Sequence, residues 1–291
     1  MQEFSGRVAV ITGAASGFGR EFARRAAGLG MKLVLADVEA GPLGLVGAEL
    51  TAKGTEVALE TVDVSDAEAM ERAAGRSVAR FGGVHLLFNN AGVSAGGGLI
   101  WETSPADWQW VLGVNVLGVV NGIRAFVPHM LRGGAPGHVV NTASVAGLIS
   151  PQLMGVYNAS KHAVVTISET LHQDLTQVGA PIGVSVLCPA FVDTGIKDAE
   201  RNRPEALRNT GPRTESQRAA AEGSRKAIQS GRLTAADVAE RTFAAIQSGM
   251  FYCITHPRIL PAVERRMQDI LEGRTPRDPF ADKPEVAFRP A

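Results

Sequence analysis

Thr12-Gly13-Ala14-Ala15-Ser16-Gly17-Phe18-Gly19 follows the apolar run Val8-Ala9-Val10-Ile11 and opens a stretch of helical period. Glycines at a strand-to-helix junction let the backbone turn tightly, and the free N–H groups at the start of the helix suit a pyrophosphate. With a strand before it and a helix after it, the loop reads as a dinucleotide-binding turn whose contacts are Gly13, Ser16, Gly17, Phe18 and Gly19. A bare strand-to-helix connection is the plainer alternative. The next apolar run ends in Leu35-Ala36-Asp37, where an acidic residue takes the hydroxyls of an adenosine ribose. A carboxylate there repels a 2′-phosphate, and neither Ser16 nor Val38 offers a compensating positive charge. NAD is therefore expected in preference to NADP.

Outward from this loop, short β-branched runs alternate with longer segments of helical period, the pattern of repeated βαβ units. Strands are expected over 7–12, 32–36, 56–61, 84–89, 138–142, 182–188 and 250–254. Helices are expected over 17–29, 41–52, 66–80, 105–131, 155–178 and 235–248. Ser65 with Glu68, and Thr234 with Asp237, have the spacing of an N-cap and a residue reaching back to it. Right-handed crossovers then give an α/β, doubly wound, Rossmann-type sheet of seven parallel strands with helices on both faces. Ligands of such sheets bind beyond the carboxyl ends of the strands. One domain over 1–257 is expected, interrupted by a polar excursion at 195–232 that reads as a substrate lid. Beyond it, 258–273 carries one apolar helix face and a Pro-containing tail runs to 291.

Composition narrows the function. The chain has 291 residues, 45% of them hydrophobic, with 29 basic and 29 acidic side chains. This balance lacks the basic footprint of a nucleic-acid or anionic-membrane binder. Apolar runs such as Val8-Ala9-Val10-Ile11 are far short of the roughly 18–20 residues that span a bilayer, so no transmembrane helix is expected. The first residues lack a basic stretch leading into an apolar one, so a cytoplasmic protein is expected. Two cysteines, Cys188 and Cys253, make no disulfide framework and too few thiols for structural zinc. Both read as buried strand residues.

Tyr157-Asn158-Ala159-Ser160-Lys161 opens a long helical segment, placing a phenol and an ammonium at i and i+4 on one face. Bringing a phenol from its ordinary pKa of about 10 to about 7 takes roughly 4 kcal/mol, which a nearby cation and an oxidised nicotinamide could supply. Such a tyrosine exchanges protons near neutral pH. Ser144, just after the fifth expected strand, arrives at the same edge and could bond a substrate oxygen. A non-catalytic dinucleotide-binding sensor or scaffold would need the glycines and Asp37 but none of Ser144, Tyr157 or Lys161. A nucleotide-sugar lyase or epimerase shares the Tyr and Lys but usually carries a larger substrate domain.

The ordered set of motifs resembles the short-chain dehydrogenase/reductase family over about residues 6–254. The set comprises the glycine pattern, Asp63-Val64, Asn89-Asn90-Ala91-Gly92, Asn115, Ser144, and Tyr157 with Lys161. The resemblance implies a general acid/base at Tyr157 and a serine at Ser144 that polarises the carbonyl or alcohol. It implies that Lys161 binds the nicotinamide ribose and lowers the tyrosine pKa, and that Asn115 holds a water in a proton relay. Asp63 and Val64 would address the adenine, Asn90 with Ala91 and Gly92 the adjoining ribose region, and Pro189 and Thr194 the nicotinamide. The family commonly has Pro-Gly where this chain has Pro189-Ala190; the extra methyl predicts a modest change in that loop.

Asn202-Arg203-Pro204-Glu205 and Thr255-His256 also resemble a narrower subgroup, the NAD-dependent Cα-dehydrogenases of lignin-derived aryl ethers. This implies a hydrophobic secondary alcohol or ketone, an aryl carbinol among the candidates. Val145, Ala146, Leu148, Leu153 and Met154 are expected to line the site. The nine basic and five acidic residues of the lid read as a solvated surface. His162 and His256 are expected to be structural, with no metal. The resemblance further implies a homodimer or homotetramer built through the long helices.

Overall fold

Val8-Ala9-Val10-Ile11-Thr12 forms β1 (Val8–Thr12), buried along its whole length, and a strand buried on both faces needs partners on both edges. It has them. β1 pairs in parallel with β2 (Lys32–Asp37) and with β4 (Leu86–Asn89). β3 (Val57–Thr61), β5 (Gly137–Thr142), β6 (Ile182–Cys188) and β7 (Tyr252–Ile254) complete one parallel sheet in the order β3-β2-β1-β4-β5-β6-β7. The strand order reverses between β1 and β4, so a crevice opens there at the carboxyl edge. The computed structural model describes residues 1–229 and 231–281. The expected tail over 282–291 lies outside the described residues.

Alternate side chains of the strands feed two cores. Ala9, Ile11, Leu33, Leu35 and Phe88 face α1 (Gly17–Gly28), α2 (Ala40–Ala52) and α8 (Ala235–Ser248), where Phe88 stacks on Phe22 at 4.6 Å between ring centroids. Val8, Val10, Val34, Leu87 and Val139 face the opposite way. They meet α3 (Ala67–Phe81), α5 (Gly118–Gly133) and α6 (Gly155–Gln177). Helices cover both faces, as the alternation of runs requires.

Three details differ from the sequence reading. Helix α3 is capped by Asp66, whose carboxylate accepts from Ala69 N–H, while Ser65 instead donates to Asp63. The single helix expected over 105–131 is divided. It runs as α4 (Pro105–Leu112), a π-helical turn at Gly113–Leu117, and α5. The stretch Pro105–Gly133 is long and apolar enough to cross a membrane by length and composition, and more than half of its most apolar window is buried within the domain. The excursion over 195–232, expected to serve as a lid, is not a plain loop: it contains α7 (Glu215–Gln229), which includes Ala219-Ala220-Ala221. At Thr234 the expected capping box with Asp237 is present, and α9 (Leu260–Leu271) follows the last strand.

Candidate active site

At the carboxyl edge of β1 the chain turns through Gly13 and Gly17, both at positive φ. A Cβ at Gly19 would stand 2.0 Å from the Gly13 carbonyl oxygen, so the turn closes only with glycine there. No side chain caps α1, in contrast to the capping boxes of α4 and α8, so its first N–H groups face the crevice without a side-chain acceptor. Thr12, which the sequence reading left unassigned, ties this turn to β4: its hydroxyl donates to Phe88 O and accepts from Asn90 and Ala91 N–H.

Asp37 ends β2 with both carboxylate oxygens engaged, accepting from Ala15 N–H at 2.9 Å and Glu39 N–H at 3.0 Å. Burial raises its pKa, and these two backbone bonds oppose the rise. The basic group nearest this rim was not foreseen. It is Arg201, from the lid, held fork to fork by Glu39 at 2.7 and 3.1 Å.

Gly13, Ser16, Gly17, Phe18, Asp37, Asp63, Val64, Asn90, Ala91, Gly92, Tyr157, Lys161, Pro189 and Thr194 all line one cavity along the crevice. Gly19 lies behind its wall, against Gly13. Asn90 also has a structural task, donating to Thr12 O at 3.0 Å and accepting from the Thr142 hydroxyl. Thr194 lies against Gly17, so the root of the lid touches the glycine turn. These residues fit a dinucleotide: a cradle that a Cβ would fill, an uncapped helix start for a pyrophosphate, and a carboxylate at the ribose end.

Ser144, Tyr157 and Lys161 meet at the other end of the crevice. The Ser144 hydroxyl accepts from Ala146 N–H at 3.1 Å and donates to Pro189 O at 3.3 Å, and it lines the same cavity wall as the Tyr157 phenol. Lys161 is buried; its ammonium donates to Thr142 O at 2.9 Å and stands 5.6 Å from the centre of the Tyr157 ring. Burial pushes the Lys161 pKa down to about 8 and the Tyr157 phenol up to about 12. The phenol is thus shifted opposite to the expectation of a value near 7. Desolvation of the phenolate outweighs the opposing influence of the Ser144 hydroxyl.

Asn115 lies fully buried in the π turn, accepting from Val93 N–H and donating to Val93 O and the Ser160 hydroxyl. Its side chain is wholly committed to holding that turn beside Lys161.

A second cavity of about 790 Å3 meets the first at Ser144, Tyr157, Ala190, Val192 and Ile196. Val145, Ala146, Leu153 and Met154 line it as expected, whereas Leu148 packs into the core with Val119 and Val164. The lid forms much of the remaining wall, and its charge is not all solvated. Arg203 is 1% exposed and ion-paired at 2.8 Å with Asp107, also 1% exposed, at the start of α4. Among the histidines, His162 bonds Asn158 O, and His256 Nδ1 accepts from Ala190 N–H at 3.2 Å, steadying the loop after β6. Both cysteines are buried in strands.

A dinucleotide cradle joined to a serine, tyrosine and lysine at the edge of a parallel sheet defines a nicotinamide-dependent oxidoreductase. The family model described as short chain dehydrogenase matches residues 7–205, and the chain belongs to that family. A crystal structure of a short-chain dehydrogenase/reductase from Burkholderia phymatum in complex with NAD is 56% identical, with a TM-score of 0.94. The match covers 97% of this chain and all of that one. The C alpha-dehydrogenase of Sphingobium sp. strain SYK-6 is 36% identical over 96% of this chain and 90% of its own. A CLA biosynthesis dehydrogenase/reductase of Lactiplantibacillus plantarum is 33% identical over 95% and 97%. The protein is an oxidoreductase that acts on hydroxyl or keto groups with a nicotinamide cofactor.

Proposed function

We propose that the protein moves a hydride between NAD and a hydrophobic secondary alcohol or its ketone, aryl carbinols included, with Tyr157 as general acid/base. The observation that carries this reading is that Ser144 and Tyr157 stand together at the junction of the two cavities, with Lys161 one helical turn beyond the tyrosine. NAD supplies the hydride acceptor and a positive charge when bound. Everything else falls to side chains of the chain. Ser144 positions the carbinol oxygen. Tyr157 takes the hydroxyl proton during oxidation and returns it during reduction. Lys161 anchors the nicotinamide ribose and, 5.6 Å from the centre of the Tyr157 ring, supplies a positive charge beside the phenolate as it forms. Asn115 keeps the π turn in place beside Lys161, where a water would extend a proton relay.

At the adenosine end, Asp37 takes the ribose hydroxyls, the glycine turn takes the pyrophosphate, and Asp63 and Val64 border the adenine. Asn90, Ala91 and Gly92 follow the adjoining ribose, and Pro189 and Thr194 the nicotinamide. NAD is preferred because Asp37 opposes a 2′-phosphate while Arg201 is already committed to Glu39. We further propose one dehydrogenase domain over 1–257 with a lid at 195–232, acting in the cytoplasm as a homodimer or homotetramer. Buried unpaired cysteines support the compartment, and exposed Ile100, Trp101 and Leu117 beside the long helices support the assembly.

The test is NADH absorbance at mildly alkaline pH across aliphatic, alicyclic and aryl secondary alcohols, with NAD or NADP. Tyr157→Phe should lower turnover by about 10²–10⁴-fold while NAD binding persists. Near-normal turnover in that variant would end the assignment.

A further inference from the structure

The chain beyond β7 does not simply trail away. Asp269 on α9 is 4% exposed and accepts from both Arg274 and Arg277, at 3.0 and 2.8 Å. This double ion pair folds the segment after α9 back on the helix. A turn follows in which Asp278 accepts from Phe280 N–H through its carboxylate and from Ala281 N–H through its carbonyl. Phe280 is thereby set, 9% exposed, into a cluster with Val145, Ile149, Ile259 and Ala262. Its ring lies 6.4 Å from that of Phe191, tilted by 42°. Val145 directly follows Ser144, and Phe191 directly follows Ala190 at the meeting of the cavities.

Phe280 also lines the 790 Å3 cavity, together with Phe191, Val145, Leu153 and Met154. Lid residues Glu200, Arg203, Arg213 and Gln217 line it as well, as does Asp278. The Phe191–Phe280 pair is therefore an aromatic patch in a wall of mixed character. A secondary carbinol held at Ser144 and Tyr157 would have a substituent within the cavity that this patch lines.

We infer that Phe280 is a specificity-determining residue of the substrate site, and that the segment 258–281 exists in part to place it there. It selects alcohols whose carbinol carbon bears a ring or a branched apolar group. The apolar substituent packs on the Phe191–Phe280 pair in edge or offset geometry. The inference rests on the function proposed above.

The experiment uses the full chain with NAD and compares 1-phenylethanol with 2-butanol. In Phe280→Ala, kcat/KM for the benzylic alcohol should fall by about 10–100-fold, chiefly through KM, because a pocket wall has been removed. For 2-butanol it should change by less than about 3-fold. The affinity for NAD should stay unchanged, and Phe280→Leu should recover part of the selectivity. Asp269→Asn, which loosens the fold-back without touching the cavity, should shift selectivity in the same direction. An equal loss for both alcohols, or no loss for either, overturns the inference. Calorimetric binding of acetophenone to the NAD complex supplies a readout independent of turnover. Wild type should bind at least about 10-fold more tightly than Phe280→Ala, and equal or absent binding overturns the inference. Failure of the proposed function registers separately, as absence of Tyr157-dependent NADH formation in the wild type.

Discussion

At the scale of the residue, Lys161 and Tyr157 make the pH dependence predictable. Burial pushes Lys161 down to about 8 and the phenol up to about 12, so of the two groups Lys161 gives up its proton first. Alcohol oxidation needs a proton acceptor, so kcat/KM should rise as pH increases through about 8. Lys161→Met should move that rise upward, toward the phenol's own range, which a pH–rate profile would show directly. A profile with the same midpoint in both proteins would separate Lys161 from the proton path. The same burial has a sign in stability. Between about 8 and the ordinary 10.5 the unfolded chain holds more protons on Lys161 than the folded one, so this group's contribution to stability rises with pH across that window. Above about pH 9 the raised cysteine and tyrosine pKa values act with the opposite sign, so the test is the difference between proteins: thermal melts from pH 7.5 to 9 should show a more positive slope in wild type than in Lys161→Met. Tyr157 and Lys161 were legible in the sequence because their relation is local, one helical turn. The sign of the phenol's shift was not, because desolvation is a property of the packed site.

At the scale of the element, the segment 195–229 makes one buried and one exposed long-range ion pair, beside hydrogen bonds from Asn209, Thr214 and Ser216 to the 102–107 stretch. Arg201 with Glu39 is partly solvated and contributes little by itself. Arg203 with Asp107 is enclosed, and the guanidinium also lies 5.2 Å from the centre of the Trp110 ring. Removing one partner from such a pair costs about 3–5 kcal/mol, because the other charge stays buried. Asp107→Ala also removes the Asp107 half of the α4 capping box. The cheapest relief is for the lid to detach. Asp107→Ala should therefore make residues 195–229 sensitive to limited proteolysis and raise KM, with NAD affinity little changed. Protection equal to wild type would show that the pair does not hold the lid. Nothing in the sequence paired these two residues: they stand 96 positions apart, one inside the helical stretch expected over 105–131 and the other in the polar excursion over 195–232. The strands, by contrast, were legible almost to the residue, since runs such as Val8–Thr12 are buried on both faces and carry an unbroken apolar pattern. The division of the helix at 113–117 left no such trace, because the π turn keeps the residue types of the flanking helix and changes only the hydrogen-bond step.

At the scale of the whole molecule, the crevice at the β1/β4 switch joins most of the chain, because its walls come from six strand ends, the lid root and the start of α6. A ligand filling it should stabilise the entire domain. At about 100 times its dissociation constant, NAD should add about 2.7 kcal/mol, and for a domain of this size that is roughly 5–10 °C in Tm. NADP at the same concentration should give a smaller shift, since its 2′-phosphate would meet the Asp37 carboxylate and find Arg201 already held by Glu39. Replacing Asp37 by alanine removes the repulsion and the ribose contact together, so the NAD shift should shrink, the NADP shift should grow, and the two should converge. Glu39→Gln acts on the other side of the balance: it weakens the hold on Arg201 and should raise the NADP shift while leaving that of NAD nearly intact. Melting curves of the three proteins with each dinucleotide distinguish these contributions. If Asp37→Ala kept the wild-type gap between NAD and NADP, discrimination would have to reside elsewhere along the crevice, and the carboxylate would be left with its backbone bonds to Ala15 and Glu39 as its only role.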